Sequence, residues 1–380
     1  MKILVLTKRQ YMGKDLLDDR FGRFRELPLE LARLGHKVYG LSLSYRPRKE
    51  SRIIDLAAMG DGHVTWHSLD LVHNFLPALP RYFRQARQLI ENFRPDVIWT
   101  GSDAFHAIFG YKLAREVQCK LVIDLYDNFE AFAAIKVPGV LSMFRTAVKS
   151  ADGITVFSQR LADYIVPTYP ISSAHAIILN GVRKDLFFCQ DQSNCRRDLR
   201  LPLNTKIIGV AGALDGSRSI DDLFSAFEIL AGENPDLHLA LAGPRDKKQF
   251  IPIGPQIHDF RELPHEQVPM FVNALDLAVI CYRQSAQGEY SFPQKAYEII
   301  ACGVPMVAAA VGSMKELLRN HPECLYEPGN PQDLARVIRL QLERKTNLQI
   351  PVPSWSDSAA QLNKFLQDTV GLKSKIETAS

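Results

Sequence analysis

The stretch Ser291-Phe292-Pro293-Gln294-Lys295-Ala296-Tyr297-Glu298-Ile299-Ile300-Ala301-Cys302-Gly303-Val304-Pro305 decides the fold. Ser291 is a candidate N-cap and Pro293 suits a first turn, while Gly303 followed by Pro305 closes the run, so a helix of about three turns is bracketed. Short apolar runs flank it at residues 276–282 and 306–311, giving strand, helix and parallel strand. Such a unit sets the helix N-terminus at the carboxyl edge of the sheet, where unpaired N–H groups favour an anion such as phosphate. Ala296, Ile299 and Ile300 follow i, i+3, i+4 and face the sheet, whereas Lys295 and Glu298 share a polar side. Glu298 lies roughly 7 Å along the axis from the helix start, about the span from a diphosphate to its ribose. A surface salt bridge on an ordinary βα unit satisfies the same spacing.

The run from Tyr290 to Glu316, with Glu298 ahead of Ala301-Cys302-Gly303-Val304-Pro305 and then Gly312 and Glu316, resembles the donor-binding signature of family 4 retaining glycosyltransferases of the GT-B fold. The resemblance extends over most of the chain. It implies an α/β protein of two Rossmann-like domains facing across a cleft. It also implies a hexosyltransferase that moves a sugar from a nucleotide diphosphate sugar to a hydroxyl acceptor, whether glycan, lipid-linked glycan or small glycoside, with retention of configuration. Glu298 matches the second glutamate of an E-x7-E pattern, which holds the donor ribose. The first position is Tyr290, with Glu289 beside it. Glu289, Tyr290 and Ser291 are the residues expected to select the sugar, and Phe292, Pro293 and Gln294 complete the donor stretch. In the family a loop after the first strand of the second half carries an Arg and a Lys to the diphosphate. Here Gly212 opens that loop, Ala213 replaces the Arg, and Arg218 supplies a cation at the second place, leaving Arg218 and Lys295 for the leaving group. No D-x-D motif is present, so no cofactor and no metal is required beyond the donor itself.

At 380 residues and 42.8 kDa the chain has room for two ordinary domains, and 46% hydrophobic with 23% charged residues is a globular composition. The resemblance and the composition shifts place an acceptor-side domain over residues 1–188, a donor domain over 189–352, and a returning helix with a frayed tail over 353–380. Six cysteines lack C-x-x-C spacing and fit a reducing compartment. No apolar run reaches ~18 residues, so the expected location is cytoplasmic, with peripheral contact at the inner membrane face as an option. Residues 1–190 hold 26 Lys+Arg against 19 Asp+Glu, a net of +7, and the remainder holds a net of −3. A basic first half suits an anionic partner such as a membrane face or a phospholipid acceptor; nucleic acid is drawn by the same field but is not expected.

In chain order, residues 2–7 read as a first strand, residues 22–34 contain a helix and residues 38–42 a second strand, the opening of a Rossmann-like sheet. Gly22 matches a loop glycine that approaches the reaction centre in the family. The loop's charges, Lys8, Arg9, Lys14, Asp18, Asp19, Arg20, Arg23 and Arg25, read as a solvated loop more readily than as acceptor contacts. His63 and His67 lie on a strand with no evident third metal ligand. Arg81, Arg84 and Arg87 beside Tyr82 and Phe83 suit either an interfacial helix on anionic lipid or a core helix with a polar back, and residues 137–149 form a second such candidate. Two buried strands end before Asp103 and at Tyr126-Asp127 on one sheet edge. The family has a His-Asp or His-Thr pair at the second of these places. Tyr126 and Asp127 are therefore the candidate catalytic pair, Asp127 in a polar or basic role; a helix cap or an acceptor-hydroxyl ligand are the plainer readings of Asp127. Residues 190–200 read as a polar link. Two rivals remain: a nucleotide-sugar epimerase or hydrolase of the same fold, and a non-catalytic partner protein, motivated by Tyr126, Ala213 and Tyr290.

Overall fold

The computed structural model describes residues 1–11, 14–47, 50–57, 60–71, 75–169, 171, 173–246, 249–290 and 294–371. The chain divides into two compact units, Met1–Gly181 with Trp355–Ser380, and Val182–Ser354.

The first unit contains strands β1 (Lys2–Lys8), β2 (Gln10–Tyr11), β3 (Lys14–Asp15), β4 (Lys37–Ser44), β5 (Ser51–Leu56), β6 (His63–Asp70), β7 (Val97–Gly101), β8 (Lys120–Leu125), β9 (Gly153–Val156) and β10 (Ala174–Ile177). Its helices are α1 (Arg23–Arg33), α2 (Phe75–Phe93), α3 (Ala104–Val117), α4 (Val140–Lys149) and α5 (Gln159–Thr168). The main sheet runs β10-β9-β8-β7-β1-β4-β6-β5 and is parallel except for the antiparallel edge strand β5. Parallel strands covered on both faces must be apolar throughout, and Ile3, Leu4, Val5 and Leu6 of β1 are fully buried. The strand order turns around β1, which pairs β4 on one side and β7 on the other. That is the switch point where α/β sheets open a crevice at their carboxyl ends.

The second unit contains β11 (Lys206–Ala211), β12 (Leu237–Ala242), β13 (Ile257–Asp259), β14 (Leu277–Ile280), β15 (Met306–Ala309) and β16 (Leu325–Tyr326), in the all-parallel order β13-β12-β11-β14-β15-β16. Its helices are α6 (Gln192–Asp198), α7 (Ile220–Glu233), α8 (Val268–Asn273), α9 (Ala286–Tyr290), α10 (Gln294–Ala301), α11 (Gly312–Leu317) and α12 (Pro331–Glu343). The switch here lies between β11 and β14. The last helix, α13 (Trp355–Val370), returns to the first unit, where Asn363 Oδ1 meets His36 Nε2 at 2.6 Å.

The bracketed helix is present as α10 (Gln294–Ala301), its expected start at residues 291–293 lying outside the described residues, and the short α9 ends at Tyr290. Several expectations are corrected. Residues 190–200 are not a link: Asp191 caps α6 by accepting the Asn194 N–H at 2.8 Å, and buried Arg196 ties the helix down through Asp276 at 2.6 Å and the Ala274 carbonyl at 2.8 Å. The charged loop is solvated only in part: Asp18, Asp19 and Arg20 are exposed, whereas three of its arginines are buried. Arg9 is buried against Asp15 at 2.9 Å with Asp18 at 2.8 Å, and Arg23 is buried in a two-pronged pair with Asp124 at 2.8 and 2.9 Å. Arg23 also donates to the Ile178 carbonyl at 2.8 Å and to Asn180 Oδ1 at 3.1 Å, fixing the segment that leaves β10. On α2, Tyr82 and Ala86 are buried while Arg81 pairs with Glu50 and Arg87 with Glu116, which is the core helix with a polar back. No helix among the described residues is long and apolar enough to cross a membrane.

Removing Arg23 alone leaves the Asp124 carboxylate, fully buried with its pair, uncompensated. Arg23→Met is expected to cost about 3–5 kcal/mol, and the double variant Arg23→Met/Asp124→Leu less than the sum of the single changes. Urea unfolding of the three variants measures both.

Candidate functional site

In the second unit the strands flanking the switch end in two loops, and each sends a cation toward the other. Gly212 follows β11 with φ +144°, and a Cβ built on it would lie 1.2 Å from Lys295 Nζ. Gly243 follows β12 with φ +147°, and its Cβ would lie 1.8 Å from the Gly212 carbonyl oxygen. Only residues without side chains let these backbones and the lysine approach so closely. Arg218 follows Gly212 in the same loop, and its guanidinium lies 4.4 Å from the centre of the Tyr282 ring just beyond β14. Contacts of this kind hold the planar guanidinium while leaving its N–H groups directed outward.

Lys295 and Glu298 stand one turn apart on α10, whose Ala296, Tyr297 and Ile299 are buried. The sheet-facing side thus includes Tyr297, with Ile300 only partly covered. Burial, followed by the repulsion of Arg218, pulls the Lys295 pKa down to about 8, against the opposing pull of Glu298 and Asp215. Burial pushes Glu298 up to about 7 despite Lys295. Neither side chain has a hydrogen-bond or ion-pair partner among the described residues. Poorly solvated charges left without partners inside a concave edge are the mark of a binding site. The arrangement can hold a diphosphate on Lys295 and Arg218 and accept hydroxyl donors at Glu298.

Glu289 and Tyr290 end α9, both partly buried. Gly312, at φ +48°, packs α11 against this turn, for its Cβ would fall 2.4 Å from the Glu289 carbonyl oxygen. Gln294 opens α10. Ser291, Phe292 and Pro293 lie outside the described residues.

In the first unit, Gly22 precedes α1 at φ +101°, where a Cβ would meet only the Tyr11 ring at an ordinary 3.6 Å, so the backbone angle, not crowding, calls for glycine there. Asp103 is the N-cap of α3 and is heavily engaged: Oδ1 accepts from the His106 N–H at 2.9 Å and meets His106 Nδ1 at 2.7 Å, and Oδ2 accepts from the Tyr45 hydroxyl at 2.9 Å. Tyr126 is buried, packs on Tyr11, Phe24 and Phe129, and its hydroxyl donates to the Ser102 carbonyl at 3.0 Å. Asp127 is partly buried and accepts the Asn128 N–H at 2.8 Å. The cap of the next short helix is Asn128, not Asp127, so the helix-cap reading of Asp127 is set aside.

Two residues of this edge escape sequence reasoning. Ser102 adopts φ +82°, a left-handed angle costing a non-glycine residue on the order of 1–3 kcal/mol. Lys8, one of many loop charges in the sequence, donates its N–H to Ser102 Oγ at 2.8 Å. Nothing local in the sequence marks either. A separate surface cavity of about 500 Å³, lined by Leu141, Arg145, Lys149 and Tyr169 among others, contains none of the residues above.

The profile described as Glycosyl transferases group 1 matches residues 191–350, and that described as Glycosyltransferase Family 4 matches residues 23–186. The chain belongs to the group 1 glycosyltransferases. Among curated relatives, D-inositol 3-phosphate glycosyltransferase 1 of Catenulispora acidiphila is 26% identical over 229 residues, covering 56% of this chain and 54% of that protein. The D-inositol 3-phosphate glycosyltransferase of Geodermatophilus obscurus is 27% identical over 217 residues, 52% and 47% of the two chains. The chain thus spans about half the length of the curated relatives it matches. Among solved structures, a sucrose-phosphate synthase of Thermosynechococcus elongatus superposes with a TM-score of 0.71 at 18% identity, over 97% of this chain and 94% of that one. Anabaena HepE in complex with UDP gives 0.64 at 19% identity, over 98% and 97%. The shared GT-B fold, two Rossmann-like domains, matches the two parallel sheets of this group 1 glycosyltransferase.

Gly212→Ala is expected to strain the backbone at φ +144° and to weaken binding of a nucleoside diphosphate by roughly ten-fold or more, because the displaced Lys295 loses a charge-assisted hydrogen bond. With burial holding the Lys295 pKa down at about 8, diphosphate affinity is expected to fall as pH rises through 8 and 9, with proton uptake on binding. Lys295→Arg removes that dependence, and calorimetry in buffers of different ionisation enthalpy measures it.

Proposed function

We propose that this protein transfers a hexosyl group from a nucleoside diphosphate sugar to a hydroxyl acceptor with retention of configuration, the second unit holding the donor and the first the acceptor. The observation that carries the reading is the group formed by Lys295, Arg218, Gly212 and Glu298 at the switch point of the second sheet. Glu298 accepts the ribose hydroxyls. Lys295 and Arg218 take the charge that develops on the departing diphosphate. Glu289 and Tyr290 meet the sugar. UDP and UDP-glucose, the ligands of the Anabaena HepE complexes, are the first donors to try.

A retaining displacement on one face needs the acceptor hydroxyl on the side of the leaving phosphate, whose oxygen takes the acceptor proton. Asp127 then orients the acceptor or stabilises the positively charged sugar. No metal enters these steps. The acceptor class is a glycan, a lipid-linked glycan or a small glycoside.

Thermal unfolding with a panel of nucleotides and nucleotide sugars tests the donor assignment, since a ligand at 100 times its Kd adds about 2.7 kcal/mol. A shift with one diphosphate series, lost in Glu298→Ala, is expected; no shift with any nucleotide returns the chain to the non-catalytic partner reading. The anomeric configuration of the first product, read by proton NMR, is expected to match that of the donor, and inversion overturns the retaining mechanism.

A further inference from the structure

The segment that leaves β1 at the switch point of the first sheet is held more firmly than its own pairing allows. β2 and β3 are two residues each, Gln10 opposite Asp15 and Tyr11 opposite Lys14, and a ribbon this short does not hold itself in water. Buried side chains hold it instead. Arg9 pairs with Asp15 and Asp18 and donates to Ser51 of β5 and Ser68 of β6. The Gln10 amide donates to Ser44 Oγ at 2.9 Å and to Asp15 at 3.2 Å, and its carbonyl accepts the Tyr45 N–H at 2.9 Å. Asp15 also accepts the Leu17 and Asp18 N–H groups at 2.9 and 3.0 Å.

The residue this network fixes in place is Tyr11. Its ring stands edge-on to the Tyr126 ring, centres 5.0 Å apart at 66°, and its centre lies 6.4 Å from that of Phe21. It also borders the backbone that opens α1, because a Cβ on Gly22 would meet it at 3.6 Å. Tyr126 is itself immobilised through the Ser102 carbonyl and rests on Phe24 and Phe129. The aromatic cluster therefore rises from the core to the sheet edge: Phe24, Tyr126 and Phe129 are buried, whereas Tyr11 and Phe21 are half-buried. Two half-covered rings on a rigid mount stand where the strand order reverses and a crevice opens. Asp18, Asp19 and Arg20, the residues leading into Phe21, are exposed, so the apolar area is small and bounded by charge.

We propose that Tyr11, flanked by Phe21, is a specificity-determining residue of the acceptor site, the platform on which the ring of a pyranoside acceptor stacks. A pyranose carries a face of C–H groups and a rim of hydroxyls. A tyrosine already fixed by its neighbours buries such a face at little cost in side-chain freedom, while the rim stays with polar groups and water. An acyl chain needs a continuous apolar groove, and here the apolar area ends at charged residues within the width of two rings. An acyclic polyol offers the same hydroxyls without a face and loses more internal freedom on binding. The role in turnover rests on the transferase reading, but the stacking belongs to the first unit and is measured without a donor.

The test uses the full chain and matched probes, the methyl β-pyranosides of glucose, galactose and mannose against glucitol, galactitol and mannitol, titrated by saturation-transfer NMR. At least one pyranoside is expected to bind about ten-fold or more tightly than its alditol, with irradiation of the aromatic resonances passing most strongly to the C–H protons of one ring face. Tyr11→Phe is expected to keep that affinity within about two-fold. Tyr11→Leu, which still covers Tyr126 but offers no flat face, is expected to lower it about ten-fold. Melting temperatures of both variants, and a shift with UDP equal to that of the wild type, show that the fold and the donor site are unaltered. The proposal is overturned if every alditol binds as tightly as its pyranoside, if no pyranoside saturates, if Tyr11→Leu binds as the wild type does, or if Tyr11→Phe loses as much as Tyr11→Leu. Absence of any UDP shift in the wild-type protein counts instead against the donor assignment, which keeps the two failures apart.

Discussion

The Lys295 ammonium lies where any side chain on Gly212 would have to be. That one contact fixes how the donor edge is built. It requires glycine at the end of β11, a second glycine at Gly243 to let β12 approach the same carbonyl, and a helix starting close enough to β14 for its second residue to cross the switch point. It also brings Lys295 within the field of Arg218, so two like charges share a poorly solvated corner. Packing alone gives no reason to tolerate this, because each charge loses hydration without gaining a partner. A polyanionic ligand that replaces the lost water supplies the reason, and Glu298 one turn along the helix is placed for the part of that ligand that carries hydroxyls.

The two halves of the molecule use their basic residues in different ways. Arginines build the scaffold. Arg9, Arg23 and Arg196 are buried, and each grips a carboxylate while donating further to neighbouring polar groups. The planar fork of a guanidinium can satisfy several acceptors at once, which suits a permanent buried link. Lysines stand at the two switch points instead, Lys8 in the first sheet and Lys295 in the second, and neither is paired within the described residues. An ammonium on a flexible stem gives up its water less readily and shifts its proton affinity when buried. Both observed shifts are downward, with burial as the leading cause.

What could be read from the sequence followed from how local the cause is. The strand, helix, strand order around α10 was legible because caps, apolar spacing and the closing Gly303 all lie within a few residues; Gly303 does take a positive φ of +69° and its N–H bonds the Ile300 carbonyl at 2.9 Å. Its expected start, Ser291 to Pro293, lies outside the described residues. Arg23 looked solvated because its partner is distant in sequence: it meets Asp124 across the sheet, and no window around residue 23 contains that fact. Tyr126 was assigned to chemistry from its place at a strand end, but the strained carbonyl of Ser102 that engages its hydroxyl was invisible. The Asp191 cap of α6 was local and readable, yet the run of polar residues around it concealed the single buried arginine that makes the helix stable.

The charge split between the halves illustrates why net charge alone misleads about a site. A net of +7 over residues 1–190 suggests an anionic partner only if those charges face it. Arg9, Arg23, Arg25, Arg81, Arg87 and Arg145 pair at contact distance with acids already counted in that net, so the excess resides on the other cations. What survives is a diffuse field from exposed side chains, which salt screens within about 10 Å and which steers any anion toward the surface without choosing among ligands at contact. At the sheet edge itself Asp103 is already held by His106 and the Tyr45 hydroxyl, and burial pulls the Lys8 ammonium toward its neutral form. The net charge of the half therefore says little about what binds at this edge, where contacts of single side chains decide.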